Sequence, residues 1–347
     1  MLKKVTASIL AAVMLCCGFV FVGSAEENYA DQIAEYFSDD PMVIRSKYSD
    51  TAVGENVSMV ECGNKVYCFG WNSTQIYDTA ANNWTSAPVM PSLRSEYSAV
   101  ENGGKIYLIG GIIGNEVTDK VDIFDTETGT WSVGQEIPFG FVDGEAVSIG
   151  DNIYCFGGYN DVNHSAKSKD TYIYDTVNQN WSYDGYLPNE GAYTGVAVGN
   201  KIYCTPKYSG DGNYTYVYDT SNNVWSERQI RPSYSYGSVS NQEGKLMKLG
   251  EFLIFINYGS DSGSKVRYAY MTDKDIWVVL PDTLPEMDLP AGRTAIIGDR
   301  IYTIKDSMHD GVMQGRLEIT YIYSNQKIYT NRNNCLLYTS PSPRDRG

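Results

Sequence analysis

The stretch Gly150-Asp-Asn-Ile-Tyr-Cys-Phe-Gly-Gly158 decides the fold, because it joins a tight turn, an alternating apolar run and a double glycine. The run predicts a β-strand, and the two glycines end it because they lack a side chain and reach positive φ easily. After a polar loop, Tyr172–Tyr174 predict a second strand, and Asn178–Asn180 predict a turn before Trp181 opens a third. The stretch therefore predicts one unit of short antiparallel strands.

The same pattern recurs along the chain. The turn-and-strand phrase begins again at Gly63, Gly104, Gly199 and Gly298. The later phrase recurs at Asp78–Trp84, Asp125–Trp131 and Asp219–Trp225, with a degraded copy at Tyr270–Trp277. The tryptophans that end these later phrases, from Trp84 to Trp277, are between 44 and 52 residues apart. A period of this length, with glycine-bounded strands and without a 3.6-residue pattern, indicates propeller blades and not helical repeats.

In these features the chain resembles the kelch repeats, whose blades close one strand with a double glycine and place Tyr and Trp at fixed later positions. Gly110-Gly111 and Gly157-Gly158 match the double glycine, and Gly70-Trp71 keeps one glycine. Three later copies depart from it, at Pro206-Lys207, Asn257-Tyr258 and Lys305-Asp306. The resemblance covers residues 54–330 and implies an all-β propeller of six four-stranded blades. It does not indicate the ligand, because function depends on sites added to a fold.

The blade limits follow the repeats and the prolines between them. Blades one to four are predicted at 55–88, 96–138, 143–188 and 191–232, and blade six at 293–330. In blade five, Lys245–Leu249 and Phe252–Asn257 are preferred as the first and second strands, although 245–250 is an alternative second strand. In blade six, Ile319–Tyr323 is the predicted third strand, and Tyr329 stands near the tryptophan position.

The N-terminal residues predict export. Residues 1–25 hold two lysines, a long apolar run and a small-residue ending, as in a secretory signal peptide, with an uncleaved membrane anchor as the alternative. The protein is therefore expected to be secreted or at the cell surface. Residues 26–53 are expected to be a linker or a strand that closes the ring, because Met42-Val43-Ile44 fits a short strand.

The C-terminal residues 331–347 do not continue the repeat. From Cys335 to Asp345 the chain looks like a translated sequencing adapter, so residues 335–347 receive no functional weight. We expect the native sequence after Asn334 to be missing, which leaves open a further strand, blade or domain.

The net charge of the chain makes some classes of binding partner unexpected. The formal net charge is −15, and it becomes −18 without the signal segment and the tail, since four basic residues and one acidic residue are removed. Nucleic acid and anionic membrane surfaces are therefore unexpected partners. Cys68, Cys155 and Cys204 share one repeat position and are predicted to be small core residues, not disulfides. We expect a monomer with a protein or glycan ligand and no cofactor.

Strand direction predicts where a ligand binds. If the strands alternate in direction, the connections between second and third strands and those between blades emerge on one face, the loop face. The short Gly-Asn and Asp-Thr turns emerge on the opposite face, the turn face. The loop face is richer in variable polar and aromatic segments, which suit protein loops or sugars. The candidates on it are Trp71, Asn72, Arg94, Tyr97, Tyr159, Asp161, His164, Tyr193, Tyr208, Tyr234, Tyr258, Arg293, Asp306 and His309.

Catalytic patterns are sparse. The chain has only two histidines, His164 and His309, which gives a catalytic triad or a histidine-rich metal centre little to draw on. A non-enzymatic binding module is the leading interpretation. A carbohydrate-active enzyme such as a kelch-type sialic acid epimerase is the alternative, favoured if Arg94, Arg293, Glu96 and Glu190 converge on the channel mouth. A propeller module of a larger cell-surface protein is the third.

Overall fold

The computed structural model describes residues 43–45, 57–70, 73–232, 243–250, 252–257, 265–279, 294–298, 300–309 and 312–321. The predicted signal peptide at 1–25 and the tail at 335–347 lie outside these residues. Throughout the described ranges the regular structure is β, apart from one 3₁₀ turn at Ser209–Asp211.

The strands form successive four-stranded antiparallel sheets after a short first strand, β1 (Val43–Arg45). Sheet one holds β2 (Ser58–Cys62), β3 (Lys65–Gly70), β4 (Ser73–Asp78) and β5 (Asn83–Ala87). Sheet two holds β6 (Ser98–Asn102), β7 (Lys105–Ile109), β10 (Val121–Asp125) and β11 (Thr130–Val133). In the connection between β7 and β10, the hairpin of β8 (Ile112–Ile113) and β9 (Glu116–Val117) forms a separate two-stranded sheet.

Sheets three to five repeat this order. Sheet three holds β12 (Glu145–Ile149), β13 (Asn152–Phe156), β14 (Asp170–Asp175) and β15 (Asn180–Tyr186). Sheet four holds β16 (Tyr193–Val198), β17 (Lys201–Pro206), β18 (Tyr216–Asp219) and β19 (Val224–Glu227). Sheet five holds β20 (Gly244–Leu249), β21 (Phe252–Asn257), β22 (Lys265–Met271) and β23 (Ile276–Val279).

The first strands of neighbouring sheets contact one another, from β2 to β6, β12, β16 and β20. Each sheet therefore has its first strand at the centre and its fourth at the rim, which is the arrangement of propeller blades. The prediction of an all-β propeller with four-stranded blades is confirmed, with five blades formed by these sheets. In blade five the preferred interpretation is confirmed, because β20 and β21 pair as first and second strands.

The last strands are β24 (Thr294–Ile297), β25 (Arg300–His309) and β26 (Val312–Tyr321), and they pair in one sheet with β1 at its edge. The predicted third strand at Ile319–Tyr323 is confirmed in part, since residues 319–321 lie in β26, but that strand already begins at Val312. The fourth position belongs to β1, whereas Tyr329 lies outside the described residues. The strand β24 contacts both β20 and β2.

Two candidates in this sheet need a correction. Asp306 and His309 were expected in a loop, but both lie within β25, where Asp306 pairs with Gly315 and His309 with Val312. The physical reason is the missing double glycine. In β7 and β13 the strand ends at glycines with positive φ, whereas Lys305-Asp306 can continue the ladder.

The Asp-Thr pairs close the turn face. The carboxylate of Asp175 accepts hydrogen bonds from the backbone N–H groups of Val177 and Asn178, at 2.9 and 2.8 Å. These N–H groups lower the pKa of Asp175. The N–H of Thr176 then donates to the carbonyl of Asp151 across the blade, at 2.9 Å. Equivalent bonds occur in the other blades at Asp78, Asp125 and Asp219.

The hydrophobic core lies between blades. Cys155, Tyr107 and Tyr174 share one cluster between sheets two and three, and Cys204 lies in the next. The four described cysteines are free, as predicted. The fourth-strand tryptophans pack on a third-strand aromatic ring, and those of blades two to five also donate a hydrogen bond to the preceding blade. The rings of Trp181 and Tyr174 are 4.8 Å apart, and the Trp181 Nε1 donates to the Gln135 carbonyl at 2.9 Å.

Candidate functional site

The double glycines let connecting loops cross the strand ends. A Cβ on Gly157 would lie 2.6 Å from the Gly191 carbonyl oxygen, and one on Gly158 would lie 2.5 Å from that of Val142. The N–H of Gly158 donates to the Gly191 carbonyl at 2.9 Å. Close backbone approach of this kind excludes a side chain. At blade three the loop face is therefore a packed layer and not a set of free loops.

Blade four departs from this pattern at Lys207, which takes the place of the second glycine. Its Nζ lies 2.5 Å from Asp143 and 2.9 Å from Glu243. The hydroxyl of Tyr208 donates to the other oxygen of Asp143 at 2.7 Å. Burial opposes the charge of Lys207, but the two carboxylates outweigh it and raise the pKa of the lysine. These four residues, the mouth cluster, tie together the connections that enter blades three and five and the end of β17.

Glu145 begins β12 beside the mouth cluster. Burial raises the pKa of Glu145 to about 7, although Lys245 and Lys207 lower it in part. Its carboxylate accepts a hydrogen bond from the Gly195 backbone. A cavity of about 140 Å³ is lined here by Glu145, the mouth cluster residues Asp143, Lys207 and Glu243, and the neighbouring Tyr97, Thr194 and Lys245. We call this cavity the mouth.

The mouth adjoins the central channel. The channel is a cavity of about 550 Å³ lined by the first strands, and Met59, Ala99 and Lys245 border both cavities. Glu61 and Glu101 also face the channel. Glu61 is exposed to the channel, and the surrounding first strands desolvate its carboxyl group and raise its pKa. Carboxylates therefore extend from the mouth into the channel.

A related contact lies one blade earlier. His164 Nε2 is 2.6 Å from Glu96 Oε2, and the imidazole stacks on the Tyr159 ring at 4.5 Å. Glu96 and Asp143 occupy the same place before their blades, with φ of 55° and 51°. Each carboxylate contacts a basic residue after the second strand of the following blade, His164 or Lys207. The relation is therefore part of the repeat, although its residues differ.

Four predicted ligand residues are buried. Arg94 is 1% exposed, forms an ion pair with Asp122, and donates to the carbonyls of Lys120 and Gly110 at 2.7 and 3.1 Å. Tyr97 donates to the Phe69 carbonyl at 3.0 Å, and Tyr193 to that of Asn189 at 2.9 Å. Tyr159 is covered by His164. The expectation that these four side chains form a binding surface is wrong, because all four are buried. The loops that cross the strand ends bring backbone carbonyls into the protein, and these carbonyls need buried hydrogen-bond donors.

The remaining candidates divide into three groups. Asp161 accepts from the N–H groups of Ser165 and Ala166 at 2.9 and 2.8 Å, so it shapes its own loop, while His164 and Tyr208 lie at the contacts above. The side chains of Asp306 and His309 are outside the description. Trp71, Asn72, Tyr234, Tyr258 and Arg293 lie outside the described residues.

The sequence reasoning missed Asp143, Glu145, Lys207, Glu243 and Lys245. The available signal was the loss of the double glycine at Pro206-Lys207, which places a long charged side chain where a loop crosses. Arg94 and Glu96 do not meet, although their convergence at the channel mouth would favour the enzyme alternative, since Arg94 bonds to Asp122 and Glu96 to His164.

The described residues contain neither a metal-binding cluster nor a helix that could cross a membrane. Across the described ranges, no group of three or more His, Cys, Asp or Glu is placed to hold a metal ion. Over the same part of the chain, no helix has the length and apolarity needed to cross a membrane.

Comparison with known families supports the repeat assignment. Residues 49–183 match a family model described as the KLHDC2/KLHL20/DRC7 Kelch-repeats domain. The matched segment covers blades one and two and extends into β15 of blade three. It is similar to Kelch repeats of that type, which agrees with the resemblance seen in the double glycines. A search among curated proteins found no match.

Proposed function

We propose that the protein is an exported, six-bladed kelch propeller that acts as a non-enzymatic binding module for a protein or glycan ligand on its loop face. Kelch propeller domains are generally binding modules. The contacts of β24 with β20 and β2, and the pairing of β1 with β26, support a closed ring of six. The signal-like residues 1–25 support export.

The observation that carries the proposal is the contrast between the two faces. On the turn face, Asp and Thr side chains satisfy the turn backbone and repeat from blade to blade. On the loop face, the mouth opens between charged groups that three connections hold in place. Polar groups held on a rigid scaffold beside a cavity are typical of binding sites.

One observation favours the enzymatic alternative as a second candidate. A carboxyl group with a pKa of about 7, as for Glu145, suits proton transfer near neutral pH. Tyr208 and Lys207 lie close to it. An epimerase or other carbohydrate-active enzyme would then use the mouth and not Arg94, which is committed to Asp122.

Photo-crosslinking tests the face assignment. A photoreactive amino acid at Asn163, exposed in the connection after β13, should crosslink to a ligand from the native extracellular fraction. The matched position on the turn face is Asn222, which is also exposed. A glycan array probed with the wild-type protein covers sugars. Crosslinks at Asn222 but not at Asn163 would contradict the proposal, and turnover of an array sugar would favour the enzyme.

A further inference from the structure

We propose that the mouth binds an organic cation, namely a lysine or arginine side chain of a partner protein, and that Glu145 is the carboxylate that contacts it. This inference rests on the proposed function, because it names the chemical class of ligand that the loop face receives. The mouth is mixed in charge, with Asp143, Glu145 and Glu243 facing Lys207 and Lys245. The charge of ligand that the mouth can bind depends on which of these groups already have a partner.

Lys207 is the most fully paired of them. Its ammonium lies between Asp143 and Glu243, so the charges of these three residues sum to −1 and no cation is left to attract an anion. Lys245 donates to the backbone carbonyl of Thr294 at 3.1 Å. A ligand anion would have to compete with these contacts.

Unlike Lys207, Glu145 has few partners for its charged group. Among the described side chains, none donates a hydrogen bond to its carboxylate, which has only the Gly195 backbone bond. A carboxylate has about four acceptor positions, so most of them stay open toward the cavity. A guanidinium or ammonium group would supply charge-assisted donors at this point.

A second observation nearby points to the same ligand charge. The side chain of Asp211 is 7% exposed, and its Oδ1 lies 2.7 Å from Lys167. Its Oδ2 is buried and has no hydrogen-bond partner within the described residues. Burial, with Asp211 and Asp143 adding to it, raises the pKa of Tyr159 to about 12. The Oδ2 atom of Asp211 is therefore an unmet acceptor on this part of the loop face, beside the lining of the mouth and not within it.

The cavity size and the overall charge agree with a terminal cationic group. A volume of about 140 Å³ corresponds to roughly five water molecules, which suits the end of a side chain. Glu61 and Glu101 continue the negative lining into the channel. The formal net charge of −15 would also draw a basic partner toward the protein.

The pH dependence has a defined sign. Glu145 carries its charge above its pKa, so a cation should bind more tightly as the pH rises from 6 to 8. The charged groups facing Glu145 are Lys245 from β20, Lys207 from the end of β17, and Asp143 from the connection before β12. Lys207 keeps its charge over this range, because Asp143 and Glu243 outweigh its burial and raise its pKa.

The experiment measures binding of a fluorescent peptide of alternating lysine and glycine to the full chain, by anisotropy at pH 6 and pH 8. The variants are Glu145→Gln and the matched control Glu127→Gln, which removes one exposed charge from the turn face. We expect Glu145→Gln to weaken binding at pH 8 by about tenfold, the factor that corresponds to 1.4 kcal/mol for a charged hydrogen bond. It should also abolish the strengthening between pH 6 and pH 8. Glu127→Gln should behave as the wild type.

Other arms identify the source of the cation. The same peptide with acetylated lysines should not bind, and spermidine should bind more weakly than the lysine peptide. Spermidine binding as tight as the peptide would overturn the assignment to a protein partner. Equal affinities of wild type and Glu145→Gln, with circular dichroism showing both folded, would overturn the site. If crosslinking at Asn163 succeeds while the peptide fails, this inference falls and the proposed function stands.

Discussion

The Nζ of Lys207 lies 2.5 Å from Oδ1 of Asp143, and this contact joins two residues 64 positions apart in the chain. Glu96 and His164 make the corresponding contact one blade earlier, at a separation of 68 positions. Carboxylates that enter one blade are thus held by basic groups of the next. The mouth owes its shape to this repeat of contacts between blades.

Breaking the Lys207 contact should destabilise the fold. Lys207→Met leaves Asp143 and Glu243 without their partner, at side-chain exposures of 10% and 30%. We expect a loss of about 2 to 3 kcal/mol, because unpaired, partly buried carboxylates remain. Urea denaturation at pH 7 measures it. The control is Lys201→Met, which removes an exposed contact of 3.7 Å with Asp219 and should cost less than about 1 kcal/mol. Equal losses would show that the mouth cluster has no special role.

Glu145 should make stability fall as the pH rises. Its folded-state pKa of about 7 lies above the ordinary value of 4.5, so the folded protein holds this proton more tightly than the unfolded chain. The stabilisation is complete below pH 4.5 and is lost as the pH rises through 7. Relative to Glu145→Gln, the wild type should lose roughly 2 to 3 kcal/mol between pH 4.5 and pH 8. Denaturation of both proteins at the two pH values gives this difference. Parallel pH profiles would contradict it.

The tryptophans should differ in their contribution to stability. Trp277 is 4% exposed, stacks 5.1 Å from Tyr270 and donates to Thr215 at 2.8 Å. We expect Trp277→Ala to cost about 3 to 5 kcal/mol. Trp181 is only half-buried, so Trp181→Ala should cost less, about 1 to 3 kcal/mol. Chemical denaturation of both variants tests the order, and a larger effect at Trp181 would contradict the packing.

The double glycine should tolerate no side chain. A Cβ on Gly110 would lie 2.2 Å from the Phe141 carbonyl oxygen, with φ at 66°. Gly110→Ala should therefore cost about 3 kcal/mol or more, since strain and overlap combine. Gly150→Ala is the matched control, because φ is 60° there and no atom lies within 4 Å. It should cost only about 1 to 2 kcal/mol, the conformational part. Thermal unfolding separates the two, and similar melting temperatures would show that the loop moves aside.

The sequence by itself determined the repeat, the four-stranded blade and the turn face. Each of these depends on residues close in the chain. Gly150 supplies a positive φ, Asp175 accepts from N–H groups two and three residues later, and Gly157-Gly158 end a strand. Local interactions of this kind can be predicted from a repeated sequence pattern. The same pattern also predicted the first and second strands of blade five.

Only the tertiary structure decided which side chains line the mouth. The sequence predicted Arg94 as a binding residue. In the structure Arg94 is buried, pairs with Asp122 and donates hydrogen bonds to two backbone carbonyls. In the sequence, Asp143 marks only the start of a blade and Lys207 only a lost glycine, so neither indicates a site residue by itself. Their contact exists because neighbouring blades bring together residues 64 positions apart, and a pattern with a period of one blade does not encode which side chains then meet. Burial and electrostatic pairing depend on distances between blades, so the charge of the mouth followed from the packed structure alone.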